Sequence, residues 1–448
     1  MTETMGLEDI STKLQRIADL ARREPRWTLT TLAHHIDIDF MREAWRRTRK
    51  GGAPGVDGQR AEQYEQDLEE NLRLLLERFK SGAYQAPPVR RVYIPKGDGR
   101  SMRPIGIPTL QDKVLQRAVS MVLEAVYEQD FLDCSYGFRP RRSAHDALVA
   151  LREGLMEMGG GVVLDVDIKD FFGSLGHGHL RSFLDNRVRD GVLRRAIDKW
   201  LTAGVMEEGR LWRPETGSPQ GGVVSPLLSN VYLHEVLDKW FVQEVRPRLR
   251  GRSFLVRFAD DFVIVCARED DARRVMEVLP KRFGRYGLTL HPKKTRVVRF
   301  ERPQGPRRAA LGREGRRAAT FDLLGFTLYW AKSKRGYWVV MLKTAKDRLA
   351  RAVRKIALWC RRNRHLPIRT QHRALCSKLL GHNQYYGVFG NTRALSGLVW
   401  ATSRVWHKWL NRRSQRRRLT WARFSRLLVA LPLPPPKTTW SARRTANP

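Results

Sequence analysis

Two acidic residues interrupt an apolar stretch in the middle of this chain. From Phe254 to Cys266 the sequence reads Phe-Leu-Val-Arg-Phe-Ala-Asp-Asp-Phe-Val-Ile-Val-Cys, which places Asp260 and Asp261 at the tip between two apolar strands. An unpaired carboxylate buried beside such strands costs several kcal/mol. The fold therefore has to bring a compensating cation to this tip. For the Asp-Asp pair taken alone, an ordinary polar hairpin turn is the alternative interpretation.

A second apolar strand also ends in an acid, because residues 162–167 read Val-Val-Leu-Asp-Val-Asp. Mg²⁺ prefers oxygen ligands, typically one or two carboxylates plus substrate phosphates. Two such ions can activate an attacking 3′-hydroxyl and stabilise a leaving pyrophosphate. We therefore predict that Asp167, Asp260 and Asp261 are brought together by the fold and hold two Mg²⁺ ions. Asp165 and Asp170 are interpreted as neighbours of the site, with Asp165 as an alternative metal ligand.

The charge of the chain indicates a polyanionic partner. There are 84 Lys and Arg against 46 Asp and Glu, a formal net charge of +38, which attracts nucleic acid or an anionic membrane surface. No apolar run approaches the ~20 residues that span a bilayer, so no membrane partner is expected. The N-terminus shows no secretory signal, and the four cysteines form no C-x-x-C pair. This pattern favours a reducing cytoplasm and disfavours a disulfide framework or structural zinc.

The positive charge is concentrated near the end of the chain. From Arg348 to Pro448 there is no Asp or Glu, but there are 23 Lys or Arg and six Trp. A solvated face or a disordered tail is the ordinary interpretation of a basic run. Here, however, apolar residues recur at the spacing of one helix face: Leu398, Ala401, Val405 and Trp409. The pattern predicts a folded, helical domain that binds RNA or DNA.

Coarse periodicity predicts an α+β fold in the first two thirds and an all-α fold in the last third. We predict helices over 64–79 and 110–127, strands over 89–94 and 160–167, and a hairpin-type turn over 96–100.

Seven short motifs, in order along the chain, resemble those of the group II intron-encoded reverse transcriptase/maturase family. They are Gly55–Gly58, Arg103–Thr109, Ser135–Pro140, Gly217–Asn230, Phe258–Asp261, Leu288–Thr295 and Leu323–Phe326. The long Pro-Gln-Gly block, Gly217–Asn230, is the most specific of them. Phe258 stands where the family carries Tyr, a departure that removes a hydroxyl group but no metal ligand.

The resemblance implies a right-hand polymerase with an antiparallel sheet, followed by an all-α thumb. Residues 1–58 would be an N-terminal extension, 59–335 the fingers and palm, and 336–448 the helical thumb/maturase domain. The implied activity is RNA-directed DNA polymerisation that copies intron RNA into DNA for retrohoming, together with assistance to splicing. The implied partners are group II intron RNA, target DNA with its primer, and deoxynucleoside triphosphates. No His, Cys, Asp or Glu follows His407, which resembles the compact bacterial members without an endonuclease module.

The resemblance also suggests which residues bind the incoming nucleotide. Lys96 and Arg103 flank the predicted fingers hairpin and can clamp triphosphate oxygens, with solvated hairpin charges as the alternative. Gln220 can hydrogen-bond the sugar or base. Ile168 is expected to contact the nucleotide as well. Phe172 falls where the family carries an aromatic steric gate against a ribose 2′-hydroxyl, with a core Phe as the alternative.

Two further roles follow from the resemblance. Lys294 resembles a lysine proposed to protonate the leaving pyrophosphate. A cluster of arginines is expected to bind RNA: Arg412, Arg413, Arg416, Arg417 and Arg418. Two competing functions remain open at this point. One is a splicing cofactor with a vestigial polymerase, and the other is a defence or CRISPR-associated reverse transcriptase.

Overall fold

The computed structural model of the chain describes residues 2–95, 101–207, 209–212, 216–217, 221–303, 319–413 and 419–438, with side chains from residue 10 onward. The chain divides into two compact units. The first comprises Met1–Ala147 and Val163–Val297, and the second comprises Leu148–Val162 and Val298–Pro448. The predicted three-part division at residues 58 and 335 stays a prediction. Within the described ranges, no helix is long and apolar enough to cross a membrane.

The α-helices of the described residues are α1 (Thr2–Arg23), α2 (Ile38–Arg47), α3 (Ala61–Glu65), α4 (Leu68–Ser81), α5 (Leu110–Tyr127), α6 (Ala144–Met158), α7 (Phe171–Ser174), α8 (His177–Asp185), α9 (Gly191–Thr202), α10 (Ser225–Leu233), α11 (Glu269–Arg285), α12 (Lys346–Arg362), α13 (Ile368–Tyr386), α14 (Thr392–Leu410) and α15 (Trp421–Ala430). Short 3₁₀ turns cover Ala33–His35 and Arg246–Arg248, and π-helical turns cover His234–Asp238 and Trp240–Val245.

The strands are β1 (Val89–Pro95), β2 (Met102–Ile107), β3 (Gly160–Val166), β4 (Ile168–Lys169), β5 (Val205–Glu207), β6 (Arg210–Trp212), β7 (Ser253–Phe258), β8 (Asp261–Cys266), β9 (Thr289–Leu290), β10 (Arg296–Glu301), β11 (Phe321–Leu323), β12 (Phe326–Lys332) and β13 (Trp338–Thr344). They form sheets of order β2-β1-β5-β6, β10-β3-β8-β7, β11-β12-β13 and β4-β9. The mixture of helices with largely antiparallel pairs confirms the predicted α+β class.

Helix α5 lies in the core of the first unit and confirms the helix predicted over 110–127. Thr109 caps it, because its hydroxyl accepts a hydrogen bond from the backbone N–H of Asp112. Apolar residues surround most of the helix, and Val114, Val119 and Val126 are fully buried. A helix that is apolar nearly all round belongs in the interior rather than on the surface.

The single helix predicted over 64–79 is wrong, because the structure has two helices there. Helix α3 ends at Glu65 and α4 begins at Leu68. Asp67 between them has φ −121° and ψ 43°, outside the helical region. The break lets fully buried Tyr64 stack on Trp45, with ring centroids 5.3 Å apart. The Asn71 side chain donates to the Tyr64 carbonyl at 3.0 Å, which satisfies a group that the break leaves open.

The two apolar segments with acids form neighbouring strands, as predicted. β7 and β8 are an antiparallel hairpin whose last pair is Phe258 opposite Asp261. β8 is buried from Phe262 to Cys266, and β3 lies directly beside it in the sheet. Strand β3 ends at Val166, one residue before Asp167, and the Asp167 charge acts on both Asp260 and Asp261 of the hairpin.

The second unit contains the three-stranded sheet β11-β12-β13 and helices α12 to α15. The predicted helical character of the basic region is confirmed. The predicted apolar stripe on α14 is confirmed in part, because Leu398 is buried and Val405 and Trp409 pack half-buried against the same core. The most buried residues after Leu398, however, are Thr402 and Trp406. Trp406 can be fully buried because its indole N–H donates to Gln371 Oε1 at 3.0 Å.

Candidate active site

The turn between β7 and β8 presents the two adjacent carboxylates. Ala259 has φ +57°, a left-handed conformation that a non-glycine residue adopts at some cost. The Ser135–Pro140 motif packs directly against this turn. A Cβ on Gly137 would lie 2.2 Å from the Ala259 nitrogen, so only glycine fits there. The hairpin motif and the upstream motif, separate in sequence, thus form one local structure.

Asp167 lies between the end of β3 and the start of β4, and β4 pairs with β9. The Asp167 carbonyl accepts a hydrogen bond from the His291 backbone N–H at 2.8 Å, and Ile168 lies opposite Leu290. This pairing brings the Leu288–Thr295 motif alongside the acids. Lys294 Nζ consequently lies 2.7 Å from Asp167 Oδ2. In the same way, Arg296 Nη2 lies 2.6 Å from Asp165 Oδ2.

Burial and the charges of neighbouring carboxylates raise the pKa values of Asp260 and Asp261. Desolvation by the surrounding protein is the largest cause that raises the pKa of Asp260, and the Asp167 charge adds to it. The pKa of Asp261 is raised to about 6, first by desolvation and then by the charges of Asp260, Asp167 and Asp165. The Asp261 side chain is nevertheless open to solvent on one side. The site therefore gathers negative charge that the protein alone does not fully neutralise.

The donor set fits a hard divalent cation, because its groups are carboxylate oxygens, and neighbouring negative charge helps to raise the pKa values of Asp260 and Asp261. Within the part of the chain that the structure describes, however, no three His, Cys, Asp or Glu side chains lie close enough together to bind one ion. Asp167 is paired with Lys294 instead. A cation that bound Asp167 through Oδ2 would have to displace the lysine ammonium.

The Pro-Gln-Gly block contacts two other predicted site elements at its glycines. A Cβ on Gly217, which has φ +96°, would meet the Phe172 carbonyl at 3.0 Å. A Cβ on Gly221, which has φ +125°, would meet the Gly106 carbonyl of β2 at 2.4 Å. Gly217 therefore lies against α7, which carries Phe172, and Gly221 lies against β2, which carries Arg103. Gln220 itself and Lys96 lie outside the described residues.

The remaining predicted nucleotide-binding residues differ in exposure. Phe171 is 3% exposed and packs edge-on against half-buried Phe172, with centroids 5.5 Å apart. The core position therefore belongs to Phe171. Arg103 is exposed on β2, opposite Ile94 of β1. Ile168 is 4% exposed and pairs with Leu290, so the structure buries this predicted nucleotide contact.

One residue that the sequence analysis missed is Gln116 of α5. Its Oε1 accepts hydrogen bonds from the Val223 and Val224 backbone N–H groups at 2.7 and 3.4 Å. Gln116 is 4% exposed, so these bonds lie in the interior. A glutamine on the buried face of an apolar helix was a visible signal, because a buried amide needs partners.

Two of the five predicted RNA-binding arginines are described, and both are exposed in the second unit. The Arg412 guanidinium lies 5.3 Å from the centroid of the Trp409 ring. Arg413 Nη2 donates to the carbonyls of His365 and Leu366 at 3.1 and 2.9 Å. Arg416, Arg417 and Arg418 lie outside the described residues.

Residues 94–328, just over half of the chain, match the reverse transcriptase (RNA-dependent DNA polymerase) family. The chain therefore belongs to the reverse transcriptase family, and the predicted enzyme class is confirmed.

Individual relatives indicate which kind of reverse transcriptase this chain resembles. Protein YkfC of Escherichia coli (strain K12) is 34% identical over 330 residues, covering 64% of this chain and 84% of YkfC. The group II intron-encoded protein LtrA of Lactococcus lactis is 42% identical over 176 residues, covering 39% of this chain and 29% of LtrA. A 91 kDa protein in the cob intron of Schizosaccharomyces pombe is 30% identical over 250 residues, covering 54% of this chain and 30% of that protein. The predicted assignment to group II intron-encoded reverse transcriptases is confirmed. The chain spans less than a third of the length of the two intron-encoded relatives.

Proposed function

We propose that this reverse transcriptase copies a group II intron RNA into DNA for retrohoming and binds the same RNA to assist its splicing. The observation that carries the proposal is that β3, which leads to Asp167, lies beside β8 of the acidic hairpin, and that the Asp167 charge helps to raise the pKa values of Asp260 and Asp261. Its substrates are then the intron RNA, a primer on target DNA, and deoxynucleoside triphosphates. The compartment is the cytoplasm.

The fold supports a right-hand arrangement for this function. The sheet β2-β1-β5-β6 supplies the fingers, and the sheet with β3, β8 and β7 supplies the palm. Helices α12 to α15 supply the thumb and maturase region. On this basis residues 1–58 are the extension, 59–335 the fingers and palm, and 336–448 the thumb/maturase domain.

The chemistry assigns a task to each side chain. Asp167, Asp260 and Asp261 would hold two Mg²⁺ ions, which would supply activation of the primer 3′-hydroxyl and stabilisation of the leaving pyrophosphate. Lys294, whose ammonium lies 2.7 Å from Asp167 Oδ2, would donate a proton to the leaving pyrophosphate.

The nucleotide-binding residues surround this centre. Lys96 and Arg103 hold the triphosphate, while Gln220 contacts the nucleoside. Phe172 excludes a 2′-hydroxyl.

The basic helical region supports the RNA-binding part of the proposal. Arginine side chains contact phosphates, and arginine and aromatic planes stack on unpaired bases. Trp400 is 61% exposed with the Arg404 guanidinium 4.7 Å from its ring centroid, a ready stacking surface. Arg412, Arg413, Arg416, Arg417 and Arg418 add positive charge for binding the phosphates of the intron RNA.

Substitution Asp260→Asn tests the catalytic site. We expect it to abolish primer extension in Mg²⁺ while RNA affinity stays within a few-fold, because one metal ligand is lost and the basic surface is untouched. Asp170→Asn is the matched control. It removes a nearby negative charge at a left-handed position that Asn tolerates, so extension should persist. Polymerisation by Asp260→Asn in Mg²⁺ would refute the site assignment.

The same experiment addresses the alternative of a vestigial polymerase, whose mark would be loss of the acids. All three are present here. If the unsubstituted chain binds intron RNA but extends no primer, the splicing-cofactor function replaces the proposed one. The relatives do not favour a defence or CRISPR-associated role.

A further inference from the structure

A fully buried arginine lies behind the catalytic turn. Arg257 is on β7, three residues before Asp260, and is 0% exposed. Its partner Asp238 is also 0% exposed. The guanidinium binds both oxygens of that carboxylate, through Nε at 2.8 Å and Nη2 at 2.5 Å. A buried charge pair of this kind is stable only when its other donors are satisfied as well.

The remaining donors of Arg257 all bind parts of the site. Nη1 donates to the Ala259 carbonyl at 3.1 Å and to Asn230 Oδ1 at 2.9 Å. Nη2 also donates to Ser135 Oγ at 2.7 Å. The guanidinium thus joins the catalytic turn, the end of the Pro-Gln-Gly block and the Ser135–Pro140 motif.

Asn230 closes the connection, because its Nδ2 donates to the Gly137 carbonyl at 2.7 Å. Gly137 is the residue whose backbone lies against the Ala259 nitrogen. The Ala259 peptide is therefore held on both sides, through its carbonyl by Arg257 and through its nitrogen by the packing of Gly137. This matters because Ala259 has a left-handed backbone that needs support from its surroundings.

We propose, on the basis of the function proposed above, that Arg257, oriented by Asp238 and coupled through Asn230, is a positioning residue. It fixes the left-handed Ala259 turn and so sets where Asp260 and Asp261 present their oxygens to the divalent cations. Arg257 contacts neither substrate nor metal. Its five N–H donors are all used, by two carboxylate oxygens, two side-chain oxygens and one carbonyl. A lysine, with three donors and no planar fork, can keep the charge pair but not the whole set.

The test is Arg257→Lys in the full-length chain, read by metal binding as well as by turnover. The complex contains RNA template, a dideoxy-terminated primer and the matched deoxynucleoside triphosphate, so no reaction occurs. Bound Mn²⁺ is measured by the loss of the free-ion electron paramagnetic resonance signal. We expect the Mn²⁺ midpoint to rise about 10- to 100-fold, as for other residues that orient metal ligands. In turnover, kcat should fall by up to about 100-fold while the KM for the nucleotide stays within about twofold, because a misplaced centre slows chemistry rather than binding.

Arg187→Lys is the matched control for loss of stability. Arg187 is 6% exposed, binds Asp130 at 2.8 and 3.2 Å, and donates to the carbonyls of Ala21, Glu24 and Trp27. It is thus a second buried arginine fork in the same unit, and none of these partners belongs to the carboxylate site. We expect a comparable fall in Tm with an unchanged Mn²⁺ midpoint. Equal midpoints for the two lysine variants would overturn the positioning role.

Asn230→Asp provides a second route in case Arg257→Lys does not fold. It keeps an acceptor for Arg257 but removes the donor to the Gly137 carbonyl. A raised Mn²⁺ midpoint supports the coupling, and an unchanged midpoint overturns it. Failure of the proposed function can be told apart from failure of the positioning role. If the proposed function is wrong, Asp260→Asn retains polymerisation. Loss of activity in Asp260→Asn with a normal Mn²⁺ midpoint in Arg257→Lys defeats only the positioning role.

Discussion

At the scale of single residues, the acidic turn depends on a buried arginine, because Arg257 donates to the Ala259 carbonyl and is itself paired with Asp238. The sequence places Asp260 and Asp261 between two apolar strands. Carboxylates in that setting need a cation, which is why they were predicted as metal ligands. The partners of Arg257 could not be predicted from the sequence. Asp238 lies on a π-helical turn, which has no characteristic apolar spacing. A signal for Arg257 did exist. An arginine in the middle of an apolar strand has to be paired wherever it is buried.

Phe172→Ala should allow the enzyme to incorporate ribonucleotides. Phe172 lies on α7, five residues after Asp167. Its ring is only half-buried, so it is available to occupy the space of a 2′-hydroxyl. Its removal opens that space without changing charge. Discrimination between deoxy- and ribonucleotides should relax by about 1–3 kcal/mol, roughly ten- to two-hundred-fold. Single-nucleotide incorporation with matched deoxy and ribo triphosphates measures the ratio.

The neighbouring Phe171→Ala is the control for this prediction. Phe171 fills the core, so its loss should lower stability and the incorporation of both sugar types, with their ratio preserved. An unchanged ratio in Phe172→Ala would assign Phe172 the same structural role and remove it from the site.

At the scale of helices and strands, the bounds of an element were predicted well where its apolar residues were regularly spaced over a long segment. The helix over 110–127 and the strands β1 and β3 were predicted closely because their apolar positions repeat over several turns or pairs. The pair β4-β9, which brings Lys294 to Asp167, has two residues in each strand and no detectable period. The break between α3 and α4 carries no Gly or Pro, and tertiary packing of Tyr64 decides it.

Helix α5 supports the Pro-Gln-Gly block through Gln116, and Gln116→Leu should expose that role. The change leaves the Val223 and Val224 N–H groups without their acceptor in the interior. An unsatisfied buried donor costs about 1–3 kcal/mol, so the loop should shift away from its position against β2. We expect the KM for the nucleotide to rise about tenfold, with a smaller change in kcat, in steady-state primer extension.

Gln371→Leu is the comparison for this change. Gln371 is a buried glutamine of α13 whose Oε1 accepts from the Trp406 indole. Its substitution should destabilise the second unit and leave the KM for the nucleotide as it was. If both leucine variants raise that KM alike, Gln116 contributes only general stability.

At the scale of the whole molecule, the charge distribution separates two kinds of nucleic-acid contact. The formal net charge of +38 favours any nucleic acid, while the acid-free span from Arg348 onward accounts for +23 of it. A template and primer at the acidic turn are needed for chemistry. The intron RNA requires a larger surface, and helices α12 to α15 present one with basic residues beside exposed tryptophans. Binding of intron RNA and polymerisation on a generic template should therefore respond differently to loss of charge.

Reversing the charge of the arginine cluster tests this separation. The variant carries glutamate at five positions: Arg412, Arg413, Arg416, Arg417 and Arg418. Intron RNA should bind more weakly, and the log-log slope of affinity against salt should flatten by roughly 0.7–0.9 for each phosphate that the protein no longer neutralises. Extension of a generic primer on a generic template should change less, because those residues are far in sequence from the acids of the site. Filter binding over a salt series and parallel extension assays give both quantities.

A charge-matched variant decides whether the effect belongs to this surface or to net charge alone. Five exposed arginines of the first unit serve: Arg246, Arg248, Arg250, Arg252 and Arg274. Reversing them changes the net charge by the same amount and so weakens the long-range attraction equally. If the cluster contacts intron phosphates directly, its reversal lowers the salt slope more than the control does. Identical slopes for the two variants would mean that the basic cluster acts only through the overall field, and the maturase interface would have to lie elsewhere on α12 to α15.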